Sequence, residues 1–343
     1  MRLLIAEKPQ LAKILHENNL IEHDTEIVFT FGIGLWRYTI PRLSFADIPF
    51  TTPPSLIRPQ SFKPRNVLLG VDGKSKFYVS EDATNTEHEK RLNDLVEYLR
   101  GQMGEYKEII CAVDCDRTGY GSAKQLLDKL GWTENSDVPV HCLYLMATDK
   151  SSLENAWENR TENTWNQDSL AEKLARQQLA KKTFDYWWNA NSSVVFSELS
   201  KWSGLVASPL ISKYELMLLC ILADKPNPMS ESEIIRLMDR WRGSGKYKDD
   251  LCQGIGSPMS RVAIFVRAMQ RGALSVYAED RNKAYSLSAA GKAFVSQLHK
   301  KTFDPDLPFR INDWLNRGDY DAMSRYIRTV FGRQIRFQRN LGN

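Results

Sequence analysis

The sequence has no long apolar run, no paired cysteine spacing and no large surplus of either charge. No stretch approaches the roughly 18 consecutive apolar residues that a spanning helix needs. The opening MRLLIAEK puts only a short apolar run before a charge pair, so neither a membrane span nor a secretory leader is expected. The five cysteines, Cys111, Cys115, Cys142, Cys220 and Cys252, are odd in number, scattered and without a CxxC pair. That argues against a disulfide framework and gives no zinc spacing, and a reducing cytoplasmic setting is the expectation. His16, His23, His88, His141 and His299 fall in no ligand spacing, and no repeat or low-complexity tract is evident.

What is present is a globular composition: 343 residues, 42% hydrophobic and 26% charged, enough for two or three domains with real cores. The net charge of +4 is compatible with a polyanionic partner and does not establish one. Its distribution is more informative. From Arg325 to Asn343 the tail RYIRTVFGRQIRFQRNLGN carries five arginines, Arg333 and Arg336 among them, and no acid. Two readings stand for it, a nucleic-acid-contacting tail or a solvated end helix.

Along the chain, RLLIA at 2–6 predicts a strand running into Glu7-Lys8-Pro9 and a helix. A second strand with a glycine turn is expected over Glu26 to Trp36, a proline-rich loop from Pro41 to Pro64, and an amphipathic helix from Thr86 to Gln102. EIICAVD, the loop CDRTGYG, the helix SAKQLLDKLGW and the strand VHCLYLM then follow. Strand, helix, strand implies a parallel βαβ unit, so residues 1–150 are expected to form a Rossmann-like α/β domain. Composition changes after Thr148, and 151–343 are expected to be a mainly helical second domain. Within it, two helix patterns followed by ALSVYAEDRNKAYSLSAAGKAF give the helix, helix, β-hairpin order of a winged helix, whose later helix usually meets DNA.

Glu7, Asp114 and Asp116 are placed by this pattern at the tips of adjacent parallel strands. Carboxylates converging there suit magnesium, which takes one or two of them plus phosphate oxygens and water. Lys8 and Arg117 would steady the phosphate oxygens. The alternative for the DxD pair is a helix-capping turn, since aspartate before a helix is common. The cluster Phe184, Tyr186, Trp187, Trp188 and Trp202 can be read as a base-stacking surface, Trp187 included, or as core between domains. Arg261, Arg267 and Arg271 can be read as DNA contacts, or as a solvated face.

LLIAEKPQLAKIL together with AVDCDRTGYGSA resembles the TOPRIM domain of type IA DNA topoisomerases, in their topoisomerase III-like branch. GIGLW and FDYWWNANSS are similar to stretches in the same order in that family. GIGSPMSRVAIFVRAMQRGAL, YSLSAAGKAF and DPDLPFRINDWLNRG resemble its winged-helix-bearing DNA-binding domain. The resemblance implies that Glu7, Asp114 and Asp116 match the family's acidic metal positions, Lys8 its catalytic lysine and Arg117 the arginine of its DxDRE motif. It places the Arg261 region on the DNA-contacting helix. Thr118 and Tyr120 stand where the family has acids, and ASPLISKYEL stands near a Gly-Arg segment whose arginine is absent. The family's tyrosine nucleophile motif, Tyr-Pro-Arg-Thr-Asp-like, is missing, and too little chain lies between SKYELMLLCILADKP and GIGSPMSR for the gate domains. Tyr277 and Tyr285 have no activating neighbour in sequence.

The expectation is a DNA-binding, type IA topoisomerase-like protein with a reduced metal site, gripping single-stranded DNA without autonomous strand passage. The alternatives are a magnesium-dependent nuclease or nickase, and an accessory subunit of a DNA-processing complex on a mobile element that meets a protein partner supplying the tyrosine. Whether the chain is itself an enzyme stays open.

Overall fold

The computed structural model describes every residue except 33, 56, 60–64, 80–84, 146, 148, 207–209, 249–253, 280–281 and 342–343. Cys252, the start of ASPLISKYEL and the tip of the hairpin therefore lie outside the described residues. The chain divides into two compact units, Met1–Thr39 with Pro54–Ala180, and Ile40–Pro53 with Lys181–Asn343.

The first unit runs β1 (Arg2–Ala6), α1 (Pro9–Glu17), β2 (Thr25–Phe29), β3 (Trp36–Tyr38), β4 (Ile57–Pro59), β5 (Arg65–Leu69), β6 (Ser75–Val79), α2 (Asn85–Gln102), β7 (Glu108–Asp114), α3 (Arg117–Leu130), β8 (Val140–Leu145) and α4 (Lys150–Glu158). Its main sheet has six strands in the order β6-β5-β2-β1-β7-β8. The four strands β2, β1, β7 and β8 are parallel, and β5 and β6 are added antiparallel at one edge. Both faces of the parallel part are buried, which is why its strands are continuous apolar runs. Leu3 and Ile5 of β1, with Ile109, Cys111 and Val113 of β7, face Leu92, Leu95 and Leu99 of α2 and Leu126 and Leu127 of α3. Leu4, Ile110, Ala112 and Leu143 face Leu11 and Leu15 of α1 and Leu153 and Trp157 of α4.

Three expectations change here. The strand expected over Glu26 to Trp36 stops at Phe29, because Gly32 and Gly34 take left-handed backbone (φ 70° and 78°) that breaks the ladder. The edge strands β5 and β6 were not expected at all, since Gly-Val-Asp-Gly between them signals only a turn. The boundary falls at residue 180 rather than 150. Trp165 packs on Tyr120 at 5.6 Å, Trp165 N–H donates to the Val140 carbonyl at 2.7 Å, and Ala171 and Ala175 join the first core.

A long helix, α5 (Leu170–Ser203), continues into the second unit, which then runs α6 (Lys213–Ala223), β9 (Met229–Ser230), α7 (Glu231–Asp239), α8 (Pro258–Gln270), β10 (Leu274–Glu279), β11 (Asn282–Leu287), α9 (Ala289–Ser296), α10 (Leu307–Arg317) and α11 (Tyr320–Leu341). A small antiparallel sheet has the order β10-β11-β9. Ser230 and Glu233 form a capping box that starts α7. Of the aromatic cluster, Phe184, Tyr186, Trp187 and Trp188 are core, with Trp188 edge-on to Phe331 at 5.3 Å and Phe196 5.6 Å from Phe331, while Trp202 stays exposed. Residues 40–53, expected as loop, belong to this unit because Asn191 bonds both Phe50 N–H and the Phe50 carbonyl at 2.8 Å. Among the described residues, no helix is long and apolar enough to cross a membrane.

Candidate functional site

The parallel order changes direction at β1, which has β2 on one side and β7 on the other, and the crevice at the carboxyl ends of strands at such a switch point is where open α/β sheets bind ligands. β1 is carried one residue further by the Glu7 N–H donating to the Ala112 carbonyl at 3.1 Å, which sets Glu7 beside the tip of β7. Glu7 is 4% exposed, and its Oε2 accepts the Asp114 N–H at 2.9 Å. Lys8 follows in extended conformation because Pro9 opens α1 and disfavours helix in the residue before it. Its Nζ lies 3.0 Å from Glu7 Oε1 and donates to Asp114 Oδ2 at 2.8 Å. Those bonds, to Asp114 first and then to Glu7, raise the ammonium above the ordinary lysine value, so Lys8 is a fixed positive charge between two carboxylates.

The structure thus brings Glu7, Lys8 and Asp114 together. Asp116 stands at the N-cap of α3, where its Oδ1 accepts the Gly119 N–H at 2.8 Å. Arg117 is the first residue of α3 and half-buried, with Thr118 half-buried beside it. Tyr120 is fully buried, its hydroxyl donating to the Leu143 carbonyl at 3.2 Å, so that position faces the core rather than the strand tips. The absence of an acid there therefore takes nothing from the carboxylate pair, contrary to the sequence expectation.

Two glycines shape the pocket around Glu7 in a way the sequence reading missed. A Cβ on Gly32 would stand 2.6 Å from Glu7 Oε1, and one on Gly119 would stand 2.4 Å from the Asp114 carbonyl oxygen and 3.0 Å from Glu7 Oε2. Thr30 and Ser122 bond through their hydroxyls at 2.9 Å and tie β2 to α3 behind this arrangement.

The donor set sets limits on a cation. Glu7 and Asp114 present carboxylate oxygens to one point, now taken by the Lys8 ammonium, while Asp116 is engaged as a cap. Among the described residues no group of three or more His, Cys, Asp or Glu side chains is disposed to hold a metal ion. The residues present fit a hard cation held by two carboxylates with other oxygens completing the shell, and not a three-carboxylate cage.

The residues expected to meet DNA in the second unit are arranged differently from the sequence reading. Arg261 is 5% exposed and its Nη1 donates to Asp239 Oδ1 at 2.6 Å; Arg271 is 3% exposed and pairs with buried Glu215. Both guanidiniums are desolvated inside the unit, which leaves them no open face for a backbone phosphate. Arg267 is exposed and reaches back to Glu215 at 3.9 Å. Trp187 is buried and donates its indole N–H to the Thr52 carbonyl at 2.8 Å, so it presents no ring face for a base. Tyr285 is buried edge-on against Phe265 at 4.9 Å, and Tyr277 is half-exposed with the Ser286 hydroxyl 3.4 Å away. Neither has a base or arginine bonded to its hydroxyl among the described residues. Arg333 and Arg336, in contrast, both stand exposed on α11.

No protein-family model matches the chain, and no curated protein matches it. Among solved structures it is similar to full-length topoisomerase I from Thermotoga maritima, at 15% sequence identity and a TM-score of 0.37, with 65% of this chain and 30% of that chain covered. The chain therefore spans about a third of that protein's length.

Proposed function

We propose that the chain is a nucleic-acid-binding protein that holds a phosphodiester at the tips of β1 and β7, a reduced type IA topoisomerase-like core without strand passage of its own. The observation that carries this reading is Lys8, a permanently charged ammonium fixed between Glu7 and Asp114 at the point where the parallel order turns. That pairing gives the family-like Glu-Lys and DxDR motifs one shared site, as the resemblance implies. Arg117 at the first turn of α3 adds a second cation, and the helix N-terminus favours an anion. The order α6, β9, α7, α8, β10, β11, with β11 central in its sheet, supports reading that part as a winged helix. Single-stranded DNA is the expected form. The lack of a tyrosine motif argues against cutting and passing strands.

Magnesium-dependent hydrolysis is the second reading, and two carboxylates converging on one cationic point favour it. Magnesium bound there would neutralise phosphate charge and supply activated water. Glu7 and Asp114 would hold it, while Lys8 and Arg117 orient the phosphate oxygens. An accessory role beside a partner carrying the tyrosine is compatible with the same site.

The test is binding of single-stranded and duplex oligonucleotides with and without magnesium, alongside incubation with supercoiled DNA, for the native chain and Asp114→Ala/Asp116→Ala. Salt-sensitive binding with no relaxation is the expected result. Metal-dependent nicks lost in the double variant would move the function to hydrolysis. Failure to bind any nucleic acid at low salt would overturn the reading.

A further inference from the structure

Several arginines of this protein are held by carboxylates of the same chain. Arg2, Arg160, Arg261, Arg271, Arg310 and Arg317 each sit in an ion pair with a carboxylate. α11 departs from that habit. Its inward side is apolar, with Met323, Ile327, Val330, Phe331 and Ile335 buried. Its outward side repeats arginine every three to five residues, at Arg325, Arg328, Arg333, Arg336 and Arg339, all exposed. Arg325 comes within 4.0 Å of Asp319 and Arg328 donates to the Thr51 hydroxyl at 3.1 Å. Among the described residues no carboxylate pairs with Arg333, Arg336 or Arg339. Beyond Asp321 the helix has no acid on any side.

A second element adds to the same field. Lys300 and Lys301 are exposed beside His299, whose ring lies 5.7 Å from Phe337 of α11. Burial, and then Arg333, Lys300, Lys301 and Arg336, lower the His299 value, so the charges of the loop and of the helix meet at one place.

We propose that the outward face of α11, with Lys300 and Lys301, is the surface on which this protein holds the phosphate backbone of a nucleic-acid strand. The inference rests on the nucleic-acid reading above and adds to it a backbone contact in the second unit, on α11 rather than α8. Arg325 to Arg339 covers a rise of about 21 Å along the helix. At about 3.4 Å per phosphate of one duplex strand, that is the length of roughly six phosphates. Arginine suits the task because its planar fork bonds phosphate oxygens in pairs. An anionic membrane is the less suitable partner, because the apolar side of α11 is already buried in its own unit and leaves nothing to insert.

The test compares two variants of equal charge change, Arg333→Glu/Arg336→Glu on α11 and Arg236→Glu/Arg240→Glu on α7 beside α8. Binding of a labelled oligonucleotide is followed from low to moderate salt. The α11 variant is expected to bind at least about tenfold more weakly at low salt, and to lower the slope of log K against log salt by about 1.4 to 1.8, two phosphate contacts' worth. The α7 variant is expected to keep the native slope. Equal losses in both variants, or a loss confined to the α7 variant, would overturn the inference while leaving nucleic-acid binding standing. No binding by the native chain would overturn both. Binding of the native chain to phosphatidylserine vesicles but not to oligonucleotide would do the same. Should the α11 variant misfold, phenylglyoxal modification of the native chain replaces it. Oligonucleotide is expected to protect Arg333, Arg336 and Arg339, and unchanged labelling there would overturn the inference.

Discussion

Helices α8 and α11 lie in the same unit and are both rich in arginine, yet they turn that residue in opposite directions. α8 buries Arg261, and Arg271 at its C-terminal cap, against Asp239 and Glu215, leaves only Arg267 of its arginines exposed, and shows solvent Met259, 91% exposed, with Val262 and Val266. α11 buries its apolar residues and shows solvent its arginines. The difference is set by what each helix packs against. Glu215 of α6 is fully buried and needs a cation, and Arg271 supplies it. No comparable carboxylate faces Arg333, Arg336 or Arg339 among the described residues, so their charge stays available. An arginine count by sequence window treats the two helices alike, while their partners make one structural and the other a surface for anions.

That contrast can be broken at several points. The largest effect is expected from Arg271→Ala. It strands buried Glu215 and should cost about 3 to 5 kcal/mol of stability, read by denaturant unfolding; a loss below about 1 kcal/mol would mean that the pair is not buried as described. Lys8→Met comes next. It leaves Glu7 and Asp114 facing each other without their cation and should cost about 1 to 2 kcal/mol, less than a fully buried pair because Asp114 is solvated. Magnesium should restore stability to Lys8→Met more than to the native chain, and equal responses would argue against a cation point between the two carboxylates.

A smaller effect is expected at His299. Burial and the cations Arg333, Lys300, Lys301 and Arg336 hold it below its ordinary value of 6.5. A polyanion on α11 would cancel those cations and raise it, so the complex holds more protons than the free protein. By linkage, affinity then rises as pH falls through the window below 6.5. The His299 ring signal, followed by NMR titration with and without oligonucleotide, reads this directly; an unmoved midpoint would place the strand elsewhere. The smallest effect is expected from Val262→Ser on the exposed face of α8, within about 0.5 kcal/mol in stability and with affinity unchanged. A clear loss of affinity would return the DNA contact to α8.

Much of the first unit was legible because its signals are local. The apolar run before Glu7-Lys8-Pro9 and the EIICAVD run before the DxD pair read directly as buried parallel strands. The meeting of Glu7, Lys8 and Asp114 followed once those strands were neighbours. The role of Asp116 stayed open between ligand and cap, because a carboxylate before a helix serves either purpose; the Gly119 N–H shows that one of its oxygens serves as a cap. The close passage of Gly32 and Gly119 past Glu7 was not legible, since it depends on chain segments far apart in sequence. In the second unit the error came from reading helix faces without partners. Arg267 and Arg271 do share a face by spacing, but Arg271 is buried against Glu215 while Arg267 stays exposed and only reaches toward it. Trp187 was likewise settled by a carbonyl from residue 52, more than a hundred positions away in the chain.

The most direct test of the account is photo-crosslinking of a 4-thiothymidine-bearing single strand to the native chain, with the crosslinked peptides identified by mass spectrometry. The account predicts crosslinks within residues 320–341 and at 299–301. Crosslinks concentrated in residues 257–271, with none on α11, would contradict it.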